Sequence, residues 1–277
     1  MKIKRIPSVS KIHGGKYYLA PKIVALFPPR QSYLNYVEDY CGMASVLLAH
    51  DPEGKSEIIN DISQLTSNFF EVLQRKSNFD LFLRLAAMAP FSELQFEASL
   101  AKMQSKIRFQ AHELAYHFFV VCRQSRSGDR KQFATLTKNR LRRQMNEQVS
   151  AWLSGVEGLF DVHQRLQRVV IRNVPALHLL AEFNDPKTVH YLDPPYYPST
   201  RTSPEAYGED DMTAEDHEKL IEAVNKSKSK ILLSGYHCDL YDKELKSWDC
   251  IEFDLPNNVS GEATKRRMVE CVWRNFK

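Results

Sequence analysis

At 277 residues, with 43% hydrophobic and 26% charged positions, the chain has the composition of a folded globular protein with room for a sizeable core, not of a fibrous or disordered one. Its net charge of +4 is modest but unevenly spread: between residues 123 and 148 eight basic residues stand against two acidic ones, Asp129 and Glu147, a stretch suited either to a polyanion or to a solvated helix face. Residues 1–11 are basic but lack the apolar run of roughly 7 to 15 residues that a signal peptide needs, and nothing approaches the roughly 18 apolar residues of a membrane span, so a cytoplasmic protein with no membrane partner is expected. The five cysteines, Cys41, Cys122, Cys238, Cys250 and Cys271, are scattered without the paired spacing of metal ligands. Reduced, mostly buried thiols and no metal are therefore expected.

Taken in chain order, His13-Gly14-Gly15-Lys16 comes first. Its small residues let backbone approach a ligand, although such strings also make ordinary loops. Tyr36-Val37-Glu38-Asp39-Tyr40 reads as a strand, and Gly42 follows where a cofactor turn is expected. Ser56-Glu57-Ile58-Ile59-Asn60 reads as a second strand. Asp61 closes it, at a place where a carboxylate binds a ribose diol or caps the following helix. Leu65, Phe69, Val72 and Leu73 then recur at helical spacing. From residue 79 to 166 helical patterns dominate, as in Leu81, Leu85 and Met88 and again in Leu114, His117, Phe118 and Val121. Val169-Val170-Ile171 resumes the strand pattern, followed by Val189-His190-Tyr191-Leu192, Lys230-Ile231-Leu232-Leu233-Ser234 and the alternating residues 268–273. Thr213 and Asp216 can cap the helix that carries Leu220, Ile221 and Val224. Strands alternating with helices predict an α/β protein with a mainly parallel sheet. Residues 1–78 and 167–277 would form that core, and residues 79–166 a helical insertion.

The sequence that carries most chemistry is Asp193-Pro194-Pro195-Tyr196, directly after an apolar strand. Two prolines cannot continue a ladder, so the chain must leave the sheet there. The carboxyl ends of strands in an open α/β sheet are where ligands bind. An adenine amine is a poor nucleophile because its lone pair is conjugated with the ring. The Asp193 carboxylate and the Pro194 carbonyl can both accept hydrogen bonds from that amine and free the lone pair. Tyr196 can stack on a base rotated out of a duplex. The plainer reading is a rigid turn after a buried strand. In the basic stretch, Arg123, Gln124 and Arg126, with Lys138, Asn139 and Arg140, supply the donors that phosphates and base edges require. Residues 199–212, with Arg201 and Tyr207, read as a loop able to close over a flipped base or as plain surface.

These residues together resemble the Dam-type, D12 class adenine-specific DNA methyltransferases over nearly the whole chain. His13-Gly14-Gly15-Lys16 is similar to the family's N-terminal Gly-Gly-Lys motif, and residues 38–46 to its Glu-Pro-Phe-x-Gly-x-Gly-Ser-Val motif. Asn60-Asp61 with Asn68-Phe69-Phe70 resembles its ribose-binding strand and helix, and residues 264–270 the basic run before its last strand. The resemblance implies a Rossmann-like S-adenosylmethionine-dependent core in which Gly14, Gly15, Lys16, Glu38, Gly42, Asp61 and Asp193 hold the cofactor, with Asp193, Pro194, Pro195 and Tyr196 catalytic. It implies a helical target-recognition insertion that reads double-stranded DNA, and direct methyl transfer to N6 of a flipped adenine at specific sites. None of the five cysteines follows a proline, as the thiolate nucleophile of a cytosine-C5 enzyme usually does. Cytosine-N4 methylation, RNA or protein amine methylation, and a DNA-binding module of the same fold without catalysis are the alternatives. The sequence does not choose between an enzyme that stands alone and one that protects a host from a partner restriction endonuclease. Asp39 replaces the family's proline and Ala44 its second glycine, and Asn173-Val174-Pro175 follows the strand at 169–171 where relatives often carry an acid.

Overall fold

The computed structural model describes residues 6, 9–10, 15–200, 211–256 and 267–277. Its strands, in chain order, are β1 (Asn35–Glu38), β2 (Ser56–Asn60), β3 (Leu141–Arg142), β4 (Met145–Asn146), β5 (Val169–Arg172), β6 (Thr188–Leu192), β7 (Lys230–Gly235), β8 (Asp249–Pro256) and β9 (Arg267–Arg274). The helices are α1 (Ala20–Val24), α2 (Ser45–Ala49), α3 (Gln64–Gln74), α4 (Lys76–Met88), α5 (Glu93–Gln104), α6 (Ala111–Gln124), α7 (Glu147–Glu157), α8 (Leu159–Leu166), α9 (Ala176–Glu182), α10 (Ala214–Lys226) and α11 (Asp239–Glu244). Seven strands form one sheet in the order β5-β2-β1-β6-β7-β9-β8. β1 runs parallel to β2 and β6, and β6 parallel to β7, while β9 is antiparallel to β7 and β8. The expected α/β, Rossmann-like fold is thus present. Among the described residues no helix is long and apolar enough to cross a membrane.

The chain divides into two compact units: residues 1–20, 42–51 and 63–171, and residues 21–41, 52–62 and 172–277. In the second, the central strands carry apolar side chains on both faces, as a sheet covered on both sides requires. Every residue of β6 is buried. On one face Leu192, Ile231, Leu233 and Trp273 pack with Leu220, Ile221 and Val224 of α10 and Tyr241 of α11, while Val37 and Ile58 pack with Leu179 of α9. The cap expected for α10 is formed: the Asp216 N–H donates to the Thr213 hydroxyl (3.2 Å), and the Thr213 N–H to the Asp216 carboxylate (2.9 Å).

The first unit is helical and larger than the expected insertion, because it also takes in α2 and α3. The change in periodicity near residue 79 is not its edge. Phe69 of α3 packs edge-on against Phe82 of α4 and Phe118 of α6, with ring centroids 5.8 and 5.5 Å apart. α6 is buried almost all round from Ala115 to Cys122, as a helix with no polar face must be. On α4 the expected stripe of Leu81, Leu85 and Met88 is the outer face, and Phe79, Phe82 and Ala86 are buried instead. A two-stranded hairpin, β3–β4, also lies in this unit, where the sequence showed almost no strand signal.

Candidate active site

The sheet unit brings three acids to one edge. Registers of Glu38 with Ile59 and with Tyr191 align the carboxyl ends of β2, β1 and β6. Asp61, Asp39 and Asp193 are the residues that follow those strands. Asp61 and Asp193 are half-buried, whereas Asp39 is buried. They stand two strand spacings apart, roughly 10 Å. That span, with a carboxylate at each end, suits an extended nucleoside whose ribose diol needs an acceptor, so this edge fits the expected cofactor.

The turns around these acids are held by asparagines. The Asn60 side chain donates to the backbone oxygens of Asp39 (2.9 Å) and Val174 (3.0 Å), and its oxygen accepts from the Val174 N–H. Asn173 donates to the carbonyls of Asp61 (2.7 Å) and Ile62 (2.9 Å). The segment in which relatives often carry an acid here braces the loop that presents Asp61. Asp39 donates nothing to the edge: its Oδ2 lies 2.9 Å from Nδ1 of His190, both side chains being fully buried. Burial raises the Asp39 carboxyl above the usual range, and His190 opposes that rise. Glu38 is also inside, its Oε2 accepting from the Tyr36 hydroxyl at 2.7 Å.

Beyond β6 the chain leaves the sheet as Asp193-Pro194-Pro195-Tyr196, with Pro194 and Tyr196 buried. The Tyr196 hydroxyl donates to Glu270 on β9 at 2.7 Å, and its ring meets Tyr236 with centroids 4.5 Å apart. Tyr197 packs edge-on to His217, whose Nδ1 is 3.0 Å from the Tyr241 hydroxyl. Burial pushes the Tyr241 hydroxyl well up, and the nearby Cys238, Tyr40 and Asp193 add to the rise. Glu270 and Tyr236 were not anticipated. Tyr236 had a signal, an aromatic directly after an apolar strand, as at Tyr196; Glu270 had none, because only the pairing of β7 with β9 brings it here.

In the helical unit, Lys16 is buried and its carbonyl accepts the N–H groups of Leu19 (2.9 Å) and Ala20 (2.7 Å), while Gly15 is exposed. Gly14, Arg201, Tyr207 and the basic run at 264–266 lie outside the described residues. Gly42 takes a positive φ of 48°, and Ala44 does so at 50°, fully buried at the entrance of α2. Ala44 therefore holds a left-handed conformation that a glycine would adopt without strain.

Two expected DNA contacts are corrected. Gln124 is fully buried, its amide donating to the Pro90 carbonyl (2.9 Å) and accepting from the Ser92 N–H (3.1 Å), so it is not offered to base edges. Arg123 reaches the Ala151 carbonyl and occupies the space that a side chain at Gly155 would need. Burial pushes its guanidinium pKa down to about 10. The reason is periodicity: α6 is enclosed to its last turn, so Arg123 and Gln124 continue its core. Arg126, Lys138, Asn139 and Arg140 are exposed, and residues 138–144 form an exposed run through β3 and its turn. Arg143 and Gln144 in that turn both have positive φ, 55° and 62°, as a type I′ hairpin turn demands.

The family model for D12 class N6 adenine-specific DNA methyltransferases matches residues 13–258, which include Asp39, Asp61 and Asp193. The chain belongs to that family. It is a DNA methyltransferase that acts on adenine N6, of a class that works with S-adenosylmethionine. No curated protein matches the methyltransferase chain.

Proposed function

We propose that this methyltransferase binds S-adenosylmethionine through Gly14, Gly15, Lys16, Gly42, Asp61 and Asp193, and methylates a flipped adenine in double-stranded DNA at Asp193-Pro194-Pro195-Tyr196. The observation that carries this is the placement of Asp193 and Asp61 at the carboxyl edge of one parallel sheet, flanking β1. When bound, the cofactor supplies an electrophilic sulfonium methyl group. The chain's part is to hold the amine. Asp193 and the Pro194 carbonyl accept its hydrogen bonds and turn its lone pair away from the ring. Pro194, with no N–H, leaves that strand exit without a competing donor. Tyr196 is fixed by Glu270 and Tyr236, so its ring is a preset platform for the base, with stacking worth roughly 1–3 kcal/mol. Glu38, enclosed with Tyr36, shapes the strand end rather than presenting its carboxylate.

The helical unit is the proposed target reader, through Arg126, Lys138, Asn139 and Arg140. Asp193→Ala is expected to lower methyl transfer by more than about a hundredfold while circular dichroism and thermal unfolding report a folded protein. Label appearing in cytosine, or turnover retained by the variant, would overturn the assignment.

A further inference from the structure

Around β8 and β9, four side chains that the methyl-transfer reading does not use converge. β8 and β9 pair with Glu252 opposite Cys271 and Cys250 opposite Trp273. Side chains two apart on a strand share a face, so Cys250, Glu252, Cys271 and Trp273 project together. β7 pairs with β9 on the other side, Gly235 opposite Cys271, and the chain two residues later places His237 over the same patch. The His237 ring stands edge-on to Trp273, centroids 5.7 Å apart at 81°. A ring nitrogen of His237 and the sulfurs of Cys250 and Cys271 lie within 4.8 Å of one another. Glu252 Oε1 is 3.3 Å from His237 Nε2, and Asp242 Oδ1 on α11 is 2.6 Å from Nδ1.

We propose that His237, Cys250, Glu252 and Cys271 bind a zinc ion. A tetrahedral zinc with sulfur ligands near 2.3 Å and nitrogen near 2.0 Å separates its ligand atoms by roughly 3.5–3.8 Å, inside the 4.8 Å that bounds the ligand atoms of His237, Cys250 and Cys271. Two thiolates and an imidazole select zinc over magnesium or calcium. Nε2 is the ligating nitrogen, because Glu252 lies on that edge. Nδ1–H then donates to Asp242, the carboxylate–histidine arrangement that fixes tautomer and ring in zinc sites. Three ligands already stand together, and Glu252, 3.3 Å from His237, reaches the fourth position by a side-chain rotation, which closes the coordination sphere and makes the ion structural. It ties the segment after β7 to the β8–β9 pair, and that segment begins with Tyr236, the residue against Tyr196. A plain surface cluster, with a histidine between two acids, would need neither sulfur.

The test is zinc content by mass spectrometry on full-length protein purified under reducing conditions and dialysed against zinc, followed by replacement with cobalt(II). One zinc per chain is expected, and cobalt should give thiolate charge-transfer bands with the intense visible bands of tetrahedral geometry. Cys250→Ser and His237→Ala should each bind zinc more than tenfold more weakly, and Asp242→Asn roughly 10- to 100-fold more weakly. Cys238→Ser should bind as wild type does. Cys250 is exposed, so its variant should fold; should it not, Glu252→Gln and Asp242→Asn report on the same site. Zinc at background level, zinc binding unchanged in these variants, a weak octahedral cobalt spectrum, or a Cys250–Cys271 disulfide in protein that takes up no zinc when reduced would each overturn the proposal.

Discussion

Asp39 occupies the family's proline position and is tied to a histidine 151 residues further along, inside the sheet unit. Its Oδ2 is satisfied by His190, but Oδ1 has no hydrogen-bond partner among the described residues. An ionised carboxylate there costs free energy, which is why its pKa is raised. A group whose folded pKa lies above its unfolded one contributes stability that is complete below the unfolded pKa and lost as pH rises through the folded pKa. Asp39 thus weakens the fold progressively from about pH 4 upward. Asp39→Asn keeps a hydrogen-bonding group for His190 without the charge. Its stability relative to wild type should grow as pH rises from about 4 toward neutrality, read from denaturant unfolding at several pH values. A relative stability that shrinks over that range would mean that attraction to His190 outweighs burial.

The turn from β1 into α2 carries Ala44 in the left-handed conformation, at φ 50°. A left-handed residue with a Cβ costs roughly 1–2 kcal/mol. Ala44→Gly removes that cost at φ 50° but adds chain entropy to the unfolded state, so a net gain of roughly 0.5–1 kcal/mol is expected, measured by urea unfolding. A loss of stability would show that the alanine methyl, fully buried, packs for more than its strain. The elements most legible in the sequence were those with one dominant signal. β2, β6 and β7 are short strands with apolar centres that stop at polar or turn-forming residues, and α10 announces its start at Thr213 and Asp216. β8 was missed because Ile251 and Phe253 alternate with Cys250, Glu252 and Asp254 on a partly exposed edge strand, a weaker pattern than an apolar run. On α4 two apolar stripes share one helix, and periodicity alone cannot say which faces inward. Nor could spacing reveal Asp39 with His190, or Cys250 with Cys271, since only strand pairing joins them.

At the scale of the whole chain, the net charge of +4 is too small to draw DNA by itself, and its distribution has to do the work. The basic stretch from 123 to 148 is split by the fold. Its first arginine enters the core, while Arg126, Lys138 and Arg140 stay in solvent. Arg140 approaches Glu147 at 3.7 Å, but with a side chain 75% exposed that pair is worth little and does not hold it back from a phosphate. Each phosphate contact releases counterions, so the logarithm of DNA affinity falls with the logarithm of salt concentration by about 0.9 per contact. Arg126→Gln, Lys138→Gln and Arg140→Gln should each flatten that slope by about one unit if the residue meets a phosphate. Arg123→Met should leave the slope unchanged, because its guanidinium is turned inward onto the Ala151 carbonyl, and should alter stability instead, since a half-buried guanidinium whose Nε lacks a partner is replaced by an apolar side chain of similar length. Fluorescence anisotropy across a salt series separates the two groups. A flattened slope for Arg123→Met alone would place the DNA surface at the end of α6 and away from the β3–β4 hairpin.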